Sequence, residues 1–165
     1  MTVDLKTTRG TPIVWSDSGA DLVMTLNNLA AGVARIGAQK DLGVGATDET
    51  FTVRLTVQFE TAPVIGETVD VYVSTSDGTE EDGQEGVADA NLGTVESLKN
   101  MILVRSLVVT STDLNHDMTV SGVARITTRY FSPVVYNNTA DNLKATANVS
   151  EITFTPVIPQ SADEV

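Results

Sequence analysis

Positions 50 to 60 carry the plainest pattern in the chain. Phe51, Val53, Leu55, Val57 and Phe59 alternate with Thr50, Thr52, Arg54, Thr56, Gln58 and Glu60, a period of two that gives a strand one dry and one wet face. Such a half-buried strand belongs to an antiparallel sheet. After a turn at Ala62-Pro63-Val64-Ile65-Gly66, Val69, Val71 and Val73 alternate with Thr68, Asp70, Tyr72 and Ser74, so the two runs are expected to pair as a hairpin. Upstream, Thr11-Pro12-Ile13-Val14-Trp15 predicts a first short strand and Asp21 to Leu26 a second. Ser16-Asp17-Ser18-Gly19 separates them as a turn, because Asp and Ser side chains bond local amides. Leu26, Leu29, Val33 and Ile36 have helical spacing. Gly32 and Gly37 would each cost about 1 kcal/mol inside a helix, which tilts 29–42 towards strand.

The second half continues in the same style. Ile102 to Thr110 is apolar on both faces apart from Arg105, as in a central sandwich strand. Met118 to Phe131 is long and β-like, with Val120, Gly122, Ala124 and Ile126 on one face and Ser121, Val123, Arg125 and Thr127 on the other. Pro133 has no amide for a ladder, which predicts an edge position or a crossing. Leu143, Ala145, Ala147 and Val149 share a parity that Ile152 and Phe154 do not, so a bulge is expected near Ser150-Glu151. Pro156 and Pro159 are expected to close the sheet region. Eight or nine short strands with turn signals about every ten residues predict a sandwich or barrel. The expected organisation is an N-terminal arm over 1–12, a single β-sandwich domain over 13–157 and a short acidic tail over 158–165.

Composition narrows the function more than the fold. The 165 residues suit one domain. They include no Cys, so neither a disulfide frame nor a thiolate site is available. Ten Lys+Arg against 22 Asp+Glu give a formal net charge of -12, which opposes a nucleic-acid backbone or an anionic membrane as partner. No apolar run approaches the ~18 residues of a spanning helix. Met1-Thr2-Val3-Asp4-Leu5-Lys6 places an acid early and has no apolar stretch, so a chain made and first folded in a cytoplasm is expected.

Candidate chemistry is sparse. His116, the one histidine, falls in the polar turn Asp113-Leu114-Asn115-His116-Asp117. Ser18-Gly19 and Ser121-Gly122 lack the preceding glycine of a nucleophile elbow. Gly43-Val44-Gly45-Ala46-Thr47-Asp48 starts like a dinucleotide fingerprint but ends in Asp. Asp77, Glu80, Glu81, Asp82, Glu85 and Asp89 make a base-free acidic stretch, read as a long solvated loop. Calcium is the competing reading, since carboxylates are its ligands, but their spacing is not that of an EF-hand. Trp15 alone could stack a sugar as an indole, and reads as core or interface. The sequons Asn137-Asn138-Thr139 and Asn148-Val149-Ser150 would matter only in a secreted eukaryotic setting. These residues assign no catalytic role, no cofactor and no metal.

Three ordered segments resemble a family of small virion proteins from tailed bacteriophages. The first is Trp15-Ser16-Asp17-Ser18-Gly19-Ala20-Asp21, continuing into Leu29-Ala30-Ala31-Gly32-Val33-Ala34-Arg35-Ile36-Gly37-Ala38. The second runs from Val53-Arg54-Leu55 to Phe59, Pro63 and Gly66, then through Val69-Asp70-Val71-Tyr72-Val73-Ser74-Thr75-Ser76-Asp77-Gly78. The third is Arg129-Tyr130-Phe131-Ser132-Pro133-Val134-Val135-Tyr136-Asn137-Asn138-Thr139, followed by Glu151-Ile152-Thr153-Phe154-Thr155-Pro156-Val157.

The resemblance implies an all-β, jelly-roll-like antiparallel β-sandwich without enzyme activity. It also strengthens the strand reading of Leu29 to Ala38. The implied role is a head decoration (cement) protein on the outer capsid surface, bound to the major capsid protein and self-associated, with a trimer favoured. A tail-associated or receptor- or carbohydrate-binding module is the alternative. As an expectation, the arm docks on the shell or a neighbour, so that Lys6, Arg9, Pro12 and Trp15 are the candidate interface residues.

Overall fold

The computed structural model describes residues 7–18, 20–44, 49–83 and 86–159. It contains β1 (Thr7–Arg9), β2 (Ile13–Ser16), β3 (Leu22–Val23), β4 (Ala34–Ile36), β5 (Lys40–Asp41), β6 (Glu49–Val57), β7 (Thr68–Ser76), β8 (Ala90–Asn91), β9 (Ile102–Val108), β10 (Met118–Ile126), β11 (Tyr130–Asn138) and β12 (Glu151–Pro159), with a short 3-10 helix at Val95–Asn100. One sheet has the order β10-β6-β12-β2-β3, with β1 also on β12; the other has the order β8-β4-β11-β7-β9, with β5 also on β11. Every pairing is antiparallel except β2 with β3. The chain is an all-β sandwich.

The core is made by the alternation that the sequence displays. Phe51, Val53, Leu55 and Val57 of β6 and Ile152 and Phe154 of β12 face Val69, Val71 and Val73 of β7 and Phe131 and Val135 of β11, all buried. Trp15, Phe51, Phe131 and Phe154 form an aromatic cluster with ring centroids 5.3 Å apart for Trp15–Phe154 and 5.9 Å for Phe51–Phe154. Edge-on ring pairs add ~0.5–1.5 kcal/mol each beyond their buried area.

Several expectations are corrected by the topology. The β6 and β7 runs are not a hairpin: β6 lies between β10 and β12, whereas β7 lies between β11 and β9. The turn at 62–66 carries the chain from one sheet to the other, and periodicity is blind to which sheet a strand joins. Likewise 118–131 is not one strand, because it breaks after Ile126 and resumes as β11 in the opposite sheet. The β9 run is an edge strand, with Ile102, Leu103 and Val108 about half exposed. Only Leu22–Val23 of the 21–26 run is a strand. The parity slip at 143–154 is not a bulge: Leu143 makes an isolated bridge to Phe59, and β12 starts afresh at Glu151. The irregular register lies instead between Val71 and Tyr72, against β9.

Both interior prolines sit in central strands. Pro133 pairs with Val73 on one side; on the other its carbonyl accepts from the Gly37 amide at 2.9 Å, where β4 has ended and β5 has not begun. A strand residue aims its N and C=O at the same neighbour, so the missing donor falls in that gap. Pro156 repeats the device. It pairs with Phe51, and its carbonyl accepts from Gly10 at 2.9 Å, between β1 and β2. The sheet therefore continues past Pro156, and Thr7–Arg9 pairs with Val157–Pro159, which joins part of the predicted arm to the start of the predicted tail.

Candidate functional site

The two sheets present very different outer faces. On the second sheet, Ala34, Ile36 and Val134 point outwards yet are buried, because Leu92 and Leu98 from the segment after β7 lie over them. Thr94 caps the 3-10 helix that holds Leu98, its hydroxyl accepting from the Glu96 amide at 3.3 Å. The covering segment begins with the acidic stretch, which is not simply solvated. Asp82 is held by its amide to Thr75 O at 3.0 Å, and Glu81 is 5% exposed.

Two carboxylates fasten this cover in opposite electrostatic regimes. Glu81 Oε1 accepts from the Ser132 hydroxyl and from Gln39 Nε2, while its Oε2 is buried without a partner among the described residues. Burial raises the Glu81 pKa against the lowering effect of those hydrogen bonds. Asp89 is also pushed upwards by burial, but Arg35 and the side-chain and backbone donors of Thr25 outweigh it and leave its pKa lowered. Arg35 donates Nε to Asp89 Oδ1 at 2.7 Å and Nη2 to Oδ2, and reaches Asn91 at 3.0 Å. A second fork, Arg129 Nε and Nη2 on Asp41 at 2.7 and 2.6 Å, is exposed and contributes little. That guanidinium, with the Gly43 amide, lowers Asp41 to about 2.

The outer face of the first sheet has no such cover among the described residues. Its rows follow from register: Thr119 beside Thr56 beside Glu151, then Ser121 beside Arg54 beside Thr153 beside Val14, then Val123 beside Thr52 beside Thr155. Arg125 lies beside Thr50, and Arg9 of β1 beside Val157. Arg9, Arg54, Ser121 and Arg125 are exposed, Val123 is 66% exposed, and Thr52, Thr153 and Val157 are half-buried. The face is mixed in charge: its rows carry three arginines and Glu151, with Asp21 beside Val14 and Asp117 on Gln58 at the rims and Glu49 lining the same cleft as Arg125. That cleft, of about 870 Å³, runs into the face and is lined by Gly10, Glu49, Thr50, Arg125, Pro156 and Val157 among others.

The predicted interface residues divide three ways. Arg9 and Pro12 are exposed, and Arg9 stands on the open face. Lys6 lies outside the described residues. Trp15 is not an interface residue: it is fully buried, edge-on to Phe131 and Phe154, with Nε1 donating to Ala38 O at 2.7 Å. An indole of that size gains most from burial when its one donor finds a carbonyl. His116 is an exposed turn residue whose amide donates to Asp113 O. Asn137 is fully buried, with its side-chain amide on Leu29 O and Asp141 O, so the first sequon is not a surface acceptor.

Among the described residues no three His, Cys, Asp or Glu groups converge as metal ligands. Two of the loop carboxylates are spent locally. Asp77 accepts from Thr79 and Glu80, and Asp82 from the amide and hydroxyl of Thr75. Sequence reasoning placed Arg54 on a wet face and Arg125 on the face opposite Val120 and Ile126 but did not join them to Arg9, because it takes the β6·β10, β6·β12 and β1·β12 registers to bring the three onto one surface. A scan against protein-family models finds no match to the sequence, and a search of curated proteins finds none either.

Proposed function

We propose that this chain is a non-enzymatic structural protein of a bacteriophage virion, a head decoration (cement) protein that binds the outside of the capsid shell and stabilises it. The observation that carries the reading, beside the resemblance in sequence, is the pairing order. The eight principal strands nest as β2 with β12, β4 with β11, β6 with β10 and β7 with β9, the pattern of one long hairpin rolled into two sheets, which is how a jelly roll is built. Such a sandwich, with one sheet covered and the other left open by the described residues, suits a rigid plate laid on a shell. Many copies of a weak contact, repeated by capsid symmetry, then supply the stabilisation. The partner in this reading is the major capsid protein, with self-association as a trimer at the symmetry axes and location on the virion surface.

The alternative, a tail-associated or carbohydrate-binding module, is weakened by the burial of Trp15, which removes the one indole from the surface. The deciding experiment is cryo-electron microscopy of intact particles of the phage that encodes the chain. High copy number on the head supports the decoration role; density confined to the tail, or none on the particle, overturns it.

A further inference from the structure

Asp70 is the only acid of β7, and alternation with the core residues Val69 and Val71 turns it to the outer face of the second sheet. There it is 9% exposed, and its Oδ1 is buried with no hydrogen-bond partner among the described residues. Register sets Tyr136 of β11 on one side of it and Ser106 of β9 on the other, with Tyr72 next along the same face of its own strand. We infer that this group of side chains is a docking site for one arginine side chain of a partner protein, which on the virion is the shell protein. The inference rests on the decoration reading for the partner's identity, and adds the site and the chemistry that it accepts.

The carboxylate is short of donors. An acceptor buried without one is unfavourable until something supplies it, and the described cations are engaged or aimed elsewhere. Arg35, Lys99 and Arg129 are paired with Asp89, Glu96 and Asp41. Arg105 adjoins Ser106 on β9, but its Cβ lies towards β10, 3.2 Å from where a Cβ on Gly122 would stand. Glu67, which precedes β7, is an acid as well and accepts from the Ala140 amide at 3.0 Å. A neutral ligand would leave the charge of Asp70 unmatched. A cation at its exposed edge need not touch Oδ1 to offset that charge, because attraction in a half-buried site exceeds that in water.

The aromatic neighbours favour a guanidinium among cations. Tyr72 and Tyr136 are half-buried and pack against the cluster of Val134 and Leu98, so they are held in place before anything docks. The Tyr72 phenol is pushed up by burial first, then by the charges of Asp70 and Tyr136, which sets the three polar heads within electrostatic reach of one another. A planar guanidinium stacks on such rings while it donates to a carboxylate, a combination that a compact ammonium does not offer. On the β9 side, Leu103 lies beside Tyr72 and Val108 beside Thr68, 55% and 51% exposed. They supply apolar surface for the methylenes of an arginine stem.

The test uses the full chain, isotope-labelled for NMR. N-acetyl-arginine amide and its neutral isostere N-acetyl-citrulline amide are titrated into wild type, Asp70→Asn and Tyr72→Leu at low salt, after thermal melts confirm folding. The arginine derivative should move the amide signals of Asp70, Ser106 and Tyr136 in the millimolar range. Binding should be at least about tenfold weaker for the citrulline derivative and for Asp70→Asn, with an intermediate loss for Tyr72→Leu. No shift at these amides, an equal response to citrulline, or unchanged binding by Asp70→Asn overturns the site; the citrulline arm needs no variant and stands even if Asp70→Asn does not fold. Co-sedimentation with phage particles stripped of the chain tests the partner. Asp70→Asn should bind at least about tenfold more weakly than wild type. If the two bind equally well, the inference falls while the decoration reading stands. If wild type does not bind at any salt, the decoration reading falls and the shell protein is not the partner. Self-association in sedimentation velocity that is lost in Asp70→Asn would put an arginine of a second copy in the site, which also overturns the inference.

Discussion

Gly37 is packed against Pro133 with no room for a side chain. A Cβ at position 37 would stand 2.9 Å from Trp15 Cδ1, 3.1 Å from Pro133 Cγ and 3.2 Å from Met24 Cβ, while the Gly37 amide donates to the Pro133 carbonyl at 2.9 Å. This glycine lets a proline occupy the middle of a sheet. It closes the ladder beside the ring, and its missing side chain leaves space for both the ring and the indole.

Gly37→Ala is therefore expected to destabilise the protein by about 1–3 kcal/mol, the usual cost of overpacking a rigid neighbourhood. At an unconstrained site the same change would stabilise by ~0.4–1 kcal/mol through the unfolded chain. Chemical denaturation distinguishes the two by sign, and a gain in stability would refute the packing account.

Trp15 is the sole tryptophan and is fully buried. Its emission should be blue-shifted in the native protein and move to the red in a single step on unfolding. Trp15→Ala should cost about 3–5 kcal/mol. Trp15→Phe should cost less but leave the Ala38 carbonyl without its indole donor. A native spectrum typical of solvated indole would contradict the burial.

Glu81→Gln should stabilise the protein near neutral pH, by about 1 kcal/mol, because it removes a charge held in a buried site with one oxygen unpartnered. The sign follows from linkage. A carboxyl whose folded pKa is raised favours folding when protonated, below its ordinary value near 4.5, and loses that contribution as pH rises through the folded value. The advantage of Gln over Glu should therefore shrink towards pH 4. Melting temperatures of both proteins across pH 4 to 8 check this, and a constant or inverted difference would rule it out.

Asp89→Asn should act oppositely. The folded pKa of Asp89 is lowered, so its contribution is present above the ordinary value of 3.8 and is lost as pH falls through the folded value. The side chains of Arg35 and Asp89 are 19% and 11% exposed, and removing one partner leaves the other charge nearly buried, at a cost of about 2–4 kcal/mol at neutral pH. Pairing the change with Arg35→Met should recover part of that loss. Additive losses in the double-mutant cycle would show that the two residues do not act as a unit.

Much of the fold was legible from short-range pattern. The alternation at Phe51, Val53, Leu55 and Val57 and at Val69, Val71 and Val73 correctly picked the core-facing side of β6 and β7, because side-chain parity is a property of the strand alone, but it could not show that Asp70 and Ser74 on the other side of β7 are buried as well. The apolar face of Val120, Gly122, Ala124 and Ile126 on β10 was visible for the same reason. The candidate site was less legible. Arg9 was chosen for its place before the first strand, and Trp15 for its size, whereas the structure puts one on an open face and the other at the centre of an aromatic cluster.

By itself, then, the sequence determined that the chain makes short strands, which face of most of them is dry, and that it builds its core without cysteine. Tertiary structure alone decided which strands are neighbours, that Pro133 and Pro156 sit in the sheet interior opposite gaps, that the acidic segment folds down over the second sheet, and that three arginines distant in sequence share the other sheet's outer face. The physical reason is range. Parity and turn chemistry act over a few residues, but neighbour choice depends on how whole faces bury one another, and no local pattern encodes that.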